Sequence, residues 1–293
     1  MIGIIDIGSN TIRLNVYMIQ NNEFKIVFSS KEMAGLIGYV DKQQLSEKGI
    51  HKLIGILKDF LSILESLDIS EVYPFATASL RNINNSQTVL QRVKDETGLT
   101  IDLIEAENEG ILGFNGAINY VKVPTALLID IGGGSTEIVP YSHYKIISSV
   151  SLPIGSLSLF KQYVKGIIPT QQEIKNMKKF VTKSLEEYNP HPASFNTLVG
   201  VGGTIRAIKK INAYLYDDNT ITDSRFSAIL ETISDESDKA RDIILKVVPD
   251  RIHTIVCGCV ILSCLLKHYI VKEIVVSEYG AREGYLILNQ LSK

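Results

Sequence analysis

A junction that occurs twice restricts this chain more than anything else in it: an apolar run enters a glycine-rich turn and leaves as a second apolar run. The first copy is Asp6-Ile7-Gly8-Ser9-Asn10-Thr11 and the second Asp130-Ile131-Gly132-Gly133-Gly134-Ser135, sharing the opening Asp-Ile-Gly. Each follows a short aliphatic run, IGII or ALLI, and leads into another, IRLNVYMI or EIVPY, which is the pattern of strands bounded by turns. Glycine suits such corners because it turns the backbone without steric cost. Duplication of one α/β unit is the economical explanation, and 293 residues suffice for two such units.

Helical periodicity fills the intervals between strands. From Ser46 to Leu67 the residues Ile50, Leu53, Ile54, Leu57, Phe60, Leu61 and Leu64 recur at three- and four-residue steps, one face of a long amphipathic helix. Ser86 is the expected cap of a helix that Gly98 ends, Glu107 to Tyr120 reads as another, and Thr170 with Glu173 forms a capping box opening a helix over 171–188. The runs VYPFAT, IDLI, TLVGVG and KEIVVSEYG read as strands, and TLVGVG enters a third glycine turn at 200–203. Val121-Lys122-Val123-Pro124 interrupts the pattern, which places the expected domain boundary between 1–122 and 123–293. The fold class is α/β.

Composition removes several functions. Lys and Arg total 30 against 32 Asp and Glu, a net charge of -2, so no basic field gathers nucleic acid. The N-terminus lacks a basic segment before its apolar residues and meets Asp6 early, so it does not read as a secretory signal and a cytoplasmic location is expected. The uncharged run Thr254 to Leu266 stops at Lys267-His268, short of the roughly 18 residues a membrane span needs. It reads as a buried core helix, and no membrane partner is expected. Cys257, Cys259 and Cys264 all fall in it and read as small buried hydrophobes. None of His51, His143, His191, His253 and His268 stands in metal-ligand spacing, so these read as surface or packing residues.

Glycine turns let backbone N–H groups converge on an anion, and a Ser or Thr hydroxyl adds a donor. Phosphate suits them. There is no G-x-x-x-x-G-K-[ST] and no strand followed by G-x-G-x-x-G, so neither a P-loop nor a Rossmann phosphate grip is expected. Asp130 and Glu137 bracket Gly132-Gly133-Gly134-Ser135-Thr136. Two carboxylates flanking a phosphate are a usual way to hold hydrated Mg²⁺.

The ordered set DIGSNTIRL, ATASLRNINN, EAENEG, DIGGGSTEI, GVGGTIRAI and EYGAREGYL resembles the exopolyphosphatase and guanosine pentaphosphate phosphohydrolase (Ppx/GppA) family of the acetate and sugar kinase, Hsp70 and actin superfamily. The resemblance runs from residue 2 to about 288. It implies two ribonuclease H-like (actin-like ATPase) domains facing an interdomain cleft, with the last helix, about 281–293, packing on the first domain. Gly8, Ser9 and Asn10 correspond to a first phosphate loop and Gly132, Gly133, Gly134, Ser135 and Thr136 to a second. Gly200, Gly202, Gly203 and Thr204 resemble a nucleotide-side glycine turn, Asp130 and Glu137 the carboxylates associated with Mg²⁺ (or Mn²⁺). Arg81 matches an arginine that reaches the phosphate, and Glu109 a glutamate proposed as general base, with Glu105 and Glu107 as rival alignments because Asn108 interrupts the usual run.

The resemblance thus implies a hydrolase that releases terminal orthophosphate from inorganic polyphosphate, guanosine pentaphosphate or both. Longer relatives carry further helical domains, so short chains are the expected polyphosphate substrate. Lys175, Lys178, Lys179 and Lys183 are candidates for a phosphate track or for the solvated face of their helix. A homodimer is admitted. The rival functions are an ATP-dependent small-molecule kinase of the same superfamily and a non-catalytic nucleotide sensor.

Overall fold

A computed structural model of the chain describes every residue except Asn22, Pro190, His191, Asn219, Ser292 and Lys293. His191 therefore lies outside the described residues. The chain divides into two units, Met1–Glu109 with Leu288–Lys293, and Gly110–Ile287.

In the first unit β1 (Ile2–Ile7), β2 (Ile12–Gln20) and β3 (Glu23–Glu32) form an antiparallel meander. A 3-10 turn at Leu36–Tyr39 and a small ribbon, β4 (Val40–Asp41) with β5 (Gln44–Leu45), lead into α1 (Glu47–Ser66). β6 (Val72–Ala76) joins the sheet parallel to β1, α2 (Ala78–Arg81) and α3 (Ser86–Thr97) follow, and β7 (Asp102–Leu103) completes the order β3-β2-β1-β6-β7. α1 forms as its periodicity predicts. Ser46 caps it by accepting from the Gly49 N–H, and Ile50, Leu53, Ile54, Leu57, Phe60 and Leu64 are buried in one core with Ile5, Ile7 and Leu14, while Leu61 is only partly buried. α3 departs from expectation at its start. Asn85 holds the cap position and Ser86 is the first helical residue, while the Asn85 amide exchanges hydrogen bonds of 3.0 and 2.9 Å with the Leu45 backbone. Gly98 ends α3 with φ 76°, a left-handed conformation that glycine takes at no steric cost.

α4 (Ala106–Ile118) carries the division between the units, which falls at Glu109/Gly110 and not at 122/123. Packing explains the difference. Phe114, Ala117 and Val121 share a core with Leu128, Val139 and Tyr141, and a Cβ on Gly116 would lie 1.9 Å from the Gly280 carbonyl oxygen.

The second unit repeats the opening of the first. β8 (Ala126–Ile131) and β9 (Thr136–Ser142) form the antiparallel hairpin, with β10 (Lys145–Ile146) and β11 (Val150–Leu152) both pairing β9. After α5 (Ser156–Tyr163) and α6 (Gln171–Tyr188), β12 (Thr197–Val201) enters parallel to β8 and runs into α7 (Gly202–Tyr216). β13 (Ile221–Thr222), α8 (Asp223–Ser234), α9 (Asp238–Val247), α10 (Ile255–His268), β14 (Glu273–Val276) and α11 (Ala281–Leu286) follow, giving the order β10-β9-β8-β12-β14-β13. A π-turn continues over Ile287–Leu291, so the segment read as one last helix changes unit at Leu288.

The capping box opens α6 as expected, with the Glu173 carboxylate accepting from the Thr170 N–H at 2.8 Å. α10 is apolar around its circumference because α5, α6, α7 and α8 enclose it. Its three cysteines are free thiols, buried, and burial pushes each above its ordinary pKa, Cys257 to about 12. His51 bonds the Glu47 carbonyl, His143 the Ser142 hydroxyl, and His253 and His268 lie against Phe160 and Tyr269. Among the described residues no helix is long and apolar enough to cross a membrane.

Candidate active site

The first hairpin turns tightly because the Gly8 N–H donates to the Thr11 carbonyl at 3.1 Å, bringing Ile7 opposite Ile12 and Asp6 opposite Arg13. The loop's carbonyls are taken: Ser9 accepts from Ile37 N–H at 3.2 Å and Asn10 from Gly35 N–H at 2.8 Å. Behind it, the Ser79 hydroxyl donates to the Ile7 carbonyl, anchoring α2 to the end of β1.

Arg81 ends α2 and points its guanidinium at two acceptors, the Ile104 carbonyl at 2.8 Å and the Glu109 carboxylate at 3.0 Å. Both side chains of the ion pair are largely buried, at 12% and 13% exposure. Glu109 lies in the first turn of α4, whereas Glu105 and Glu107 are exposed. The contact singles out Glu109 among the three glutamates.

The second hairpin has the same turn. Gly132 N–H donates to the Ser135 carbonyl at 2.9 Å, and Asp130 stands directly opposite Glu137. Again the loop carbonyls are occupied: Gly132 accepts from the Ser156 N–H and hydroxyl, and Gly133 from the Leu157 and Ser158 N–H groups. The chain passes so close here that a Cβ on Gly155 would lie 2.4 Å from the Gly133 carbonyl. With most of its carbonyls engaged, such a turn offers mainly N–H donors, which suits an anion.

Two hydroxyls of the expected glycine turns, Thr136 of the phosphate loop and Thr204 of the nucleotide-side turn, bond to the fold. Thr136 is 1% exposed and its hydroxyl donates to the Ile154 carbonyl at 2.6 Å. Thr204 is 2% exposed and donates to the Ile131 carbonyl at 2.9 Å, so neither hydroxyl proton is offered to a ligand. The third glycine turn is also different in kind from the other two: β12 runs directly into α7 at Gly202. Gly202 has φ 81°, and a Cβ there would lie 2.0 Å from Asp130 Oδ1, so the carboxylate rests against the first residue of α7. A Cβ on Gly203 would meet the Arg251 guanidinium at 2.0 Å, and one on Gly200 the Ile205 side chain at 2.5 Å. These three glycines exist to admit neighbours.

Charge converges on Asp130. Burial lowers the pKa of Arg206 and Arg251, and in both Asp130 acts in the opposite direction, holding the guanidinium charged. Glu137 is 2% exposed, with Oε1 accepting from the Ser151 hydroxyl at 2.7 Å. Directly opposed residues of an antiparallel pair share a sheet face, so Asp130 and Glu137 present both carboxylates on one side of the hairpin. No group of three or more His, Cys, Asp or Glu gathers as a metal cage among the described residues. A carboxylate pair without a cage fits Mg²⁺, which keeps waters and takes phosphate oxygens for the rest of its shell.

The residues that sequence reasoning missed are Asp6, Arg13, Arg206 and Arg251. Asp6 and Arg13 had a signal, since they occupy the hairpin positions of Asp130 and Glu137. Arg206 also had one, since Thr204-Ile205-Arg206 follows β12 as Ser79-Leu80-Arg81 follows β6, with the hydroxyls of Thr204 and Ser79 on matching carbonyls. Arg251 had none, being brought to Gly203 only by the fold.

The sequence pattern of the Ppx/GppA phosphatase family matches residues 15–293. Exopolyphosphatase 1 of Mycobacterium tuberculosis is 25% identical over 303 aligned positions, covering 99% of this chain and 88% of that protein. The crystal structure of the Aquifex aeolicus member of the Ppx/GppA family superposes with a TM-score of 0.81 at 28% identity, covering 99% of this chain and 97% of that one. An exopolyphosphatase from Cytophaga hutchinsonii gives 0.87 at 23% identity over 99% of this chain and 97% of that one, a likeness of fold.

Proposed function

The chain belongs to the Ppx/GppA phosphatase family and is a hydrolase, and from that premise we propose that it cleaves the terminal phosphoanhydride bond of inorganic polyphosphate and releases orthophosphate. The observation that carries this reading is the pair of matched hairpins, whose loop carbonyls are tied back while Asp130 and Glu137 stand side by side on the second. Relatives named exopolyphosphatase that align along nearly the whole chain support the substrate class.

Phosphoryl transfer to water asks for little covalent chemistry; it needs charge neutralised on the phosphate oxygens, an aligned water and a proton acceptor. In the proposed division of labour the loops at Gly8, Ser9 and Asn10 and at Gly132, Gly133, Gly134 and Ser135 bind phosphate oxygens through backbone N–H groups. Arg81 spreads the developing charge. Glu109 accepts the proton from the attacking water, and its ion pair with Arg81 orients the carboxylate. Asp130 and Glu137 would hold Mg²⁺ or Mn²⁺, which supplies charge neutralisation at the phosphate. Guanosine pentaphosphate offers the same phosphoanhydride end and is the second substrate candidate of this family.

The test is a phosphate-release assay with Mg²⁺ across short polyphosphate, long polyphosphate, guanosine pentaphosphate and ATP. Orthophosphate released from polyphosphate is the expected result. Transfer to a sugar or carboxylate without free phosphate would establish the kinase activity instead.

A further inference from the structure

α7 carries a second cationic feature beyond the junction at Gly202. Arg206, Lys209, Lys210 and Ala213 recur at steps of three and four, so they line one face of the helix. With Glu278 from the segment after β14 they enclose a pocket of about 190 Å³. Lys209 is paired with Glu278 at 2.7 Å. Arg206 reaches only a main-chain acceptor, the Glu278 carbonyl at 3.2 Å, although a guanidinium has five N–H donors to satisfy. Lys210 is exposed.

Arg81 and Arg206 follow matching strands and matching hydroxyl anchors, yet Arg81 has the Glu109 carboxylate at 3.0 Å and Arg206 bonds no carboxylate. Instead Arg206 is half-buried, and burial together with the like charge of Arg282 lowers its pKa against the opposing pull of Asp130, Glu283 and Glu278. A single main-chain acceptor leaves most of the guanidinium's N–H donors unfilled, and an exogenous anion at the pocket fills them with charge-assisted hydrogen bonds.

We propose that Arg206, Lys209 and Lys210 form an oligophosphate-binding subsite on the flank of α7. α7 starts against Asp130, and at 1.5 Å per residue its cations stand roughly 6–12 Å further along the axis, so the site takes phosphate groups beyond those at the hairpin loop. This assignment rests on the reading of the substrate as a phosphate chain. It places the track on α7 and not on α6, whose Lys175, Lys178, Lys179 and Lys183 are exposed. Glu278 competes with the ligand for Lys209.

The experiment measures binding of tripolyphosphate and of orthophosphate by calorimetry in chelator, and phosphate release from polyphosphate with Mg²⁺, on the full chain. In the Arg206→Gln/Lys210→Gln variant tripolyphosphate should bind about tenfold or more weakly, the order of a lost charge-assisted contact. Its KM for polyphosphate should rise while kcat holds, and Arg206→Lys/Lys210→Arg should restore much of the affinity. Glu278→Gln should tighten tripolyphosphate binding, a gain that a misfolded or merely loosened protein would not give. Weakening confined to orthophosphate would assign the pocket to free phosphate and overturn the chain subsite. Unchanged binding and KM in the double variant, or an effect found only on substituting the α6 lysines, would also overturn it. Those outcomes are separable from failure of the hydrolase reading, in which the wild type releases no phosphate whatever tripolyphosphate binding shows.

Discussion

The two hairpins share loop length and register, and each has two loop carbonyls tied to a later segment, but they differ in charge: Asp6 opposes Arg13 in the first, and Asp130 opposes Glu137 in the second. A guanidinium opposite a carboxylate offsets its charge, whereas two carboxylates on one face repel each other and favour a bound cation. The arginines two residues past each hydroxyl anchor differ in the converse way, Arg81 meeting the Glu109 carboxylate and Arg206 a main-chain oxygen. The two units share this hairpin scaffold. In the proposed mechanism side-chain charge divides the roles, with proton transfer in the first unit and cation binding in the second.

The largest expected effect separates Glu109 from its neighbours. Glu109→Gln keeps the size and removes the proton-accepting charge, so kcat should fall by about 10²–10⁴ with KM little changed. Glu105→Gln and Glu107→Gln, at exposed positions, should leave kcat close to wild type. Loss of turnover in either of them, and not in Glu109→Gln, would move the base.

The strand-to-helix junctions come next. Thr77 precedes α2 at φ -116°, where the second unit has Gly202 at φ 81°. Gly202→Ala combines an unfavourable backbone conformation with a Cβ 2.0 Å from Asp130 Oδ1, so it should cost about 3 kcal/mol or more in denaturant unfolding. Thr77→Ala should cost clearly less. Equal costs would mean the two junctions do not differ as described.

The hydroxyl anchors should behave alike. Ser79→Ala and Thr204→Val each leave a strand-end carbonyl, Ile7 or Ile131, without its side-chain donor, and each should cost about 1–3 kcal/mol. A large effect at one and none at the other would break the structural equivalence of the units.

The smallest effect near neutral pH is confined to the second unit, whose core holds the cysteines; the first has none. Burial raises the Cys257 thiol to about 12. The folded chain thus keeps a proton that the unfolded chain loses near about pH 8.5, so this stability is complete below that pH and lost as pH rises toward the folded value, at up to about 1.4 kcal/mol per unit. Cys257→Ala should flatten the alkaline decline seen in thermal melts.

Most of the architecture was legible because it rests on local signals. The stripe of α1, the capping box at Thr170 and the strand-turn junctions at Gly8 and Gly132 are properties of short segments. Ser86 misled because Asn85 was free to be drawn to the Leu45 backbone, a contact between distant segments. The boundary shifted from 122 to 109 because the backbone contacts of Gly116 with Gly280 and of Gly284 with Leu112 leave no trace in local composition. At the candidate site, motif reading named Arg81 and Glu109, which the structure pairs, and Asp130 and Glu137, which stand opposite each other, while the hydroxyls of Thr136 and Thr204, named in the glycine turns, bond to the fold. Arg251 was invisible for the same reason as the boundary.

The most direct test of the division of roles is the divalent-metal dependence of phosphate release, titrated for the wild type, Asp130→Asn, Glu137→Gln and Arg13→Gln. Chelator should stop the wild type and added Mg²⁺ restore it. Asp130→Asn and Glu137→Gln should each need about 10–100-fold more metal, while Arg13→Gln should leave the metal requirement unchanged. Full activity in excess chelator, or a metal requirement that moves with Arg13 and not with the two carboxylates, would contradict the account.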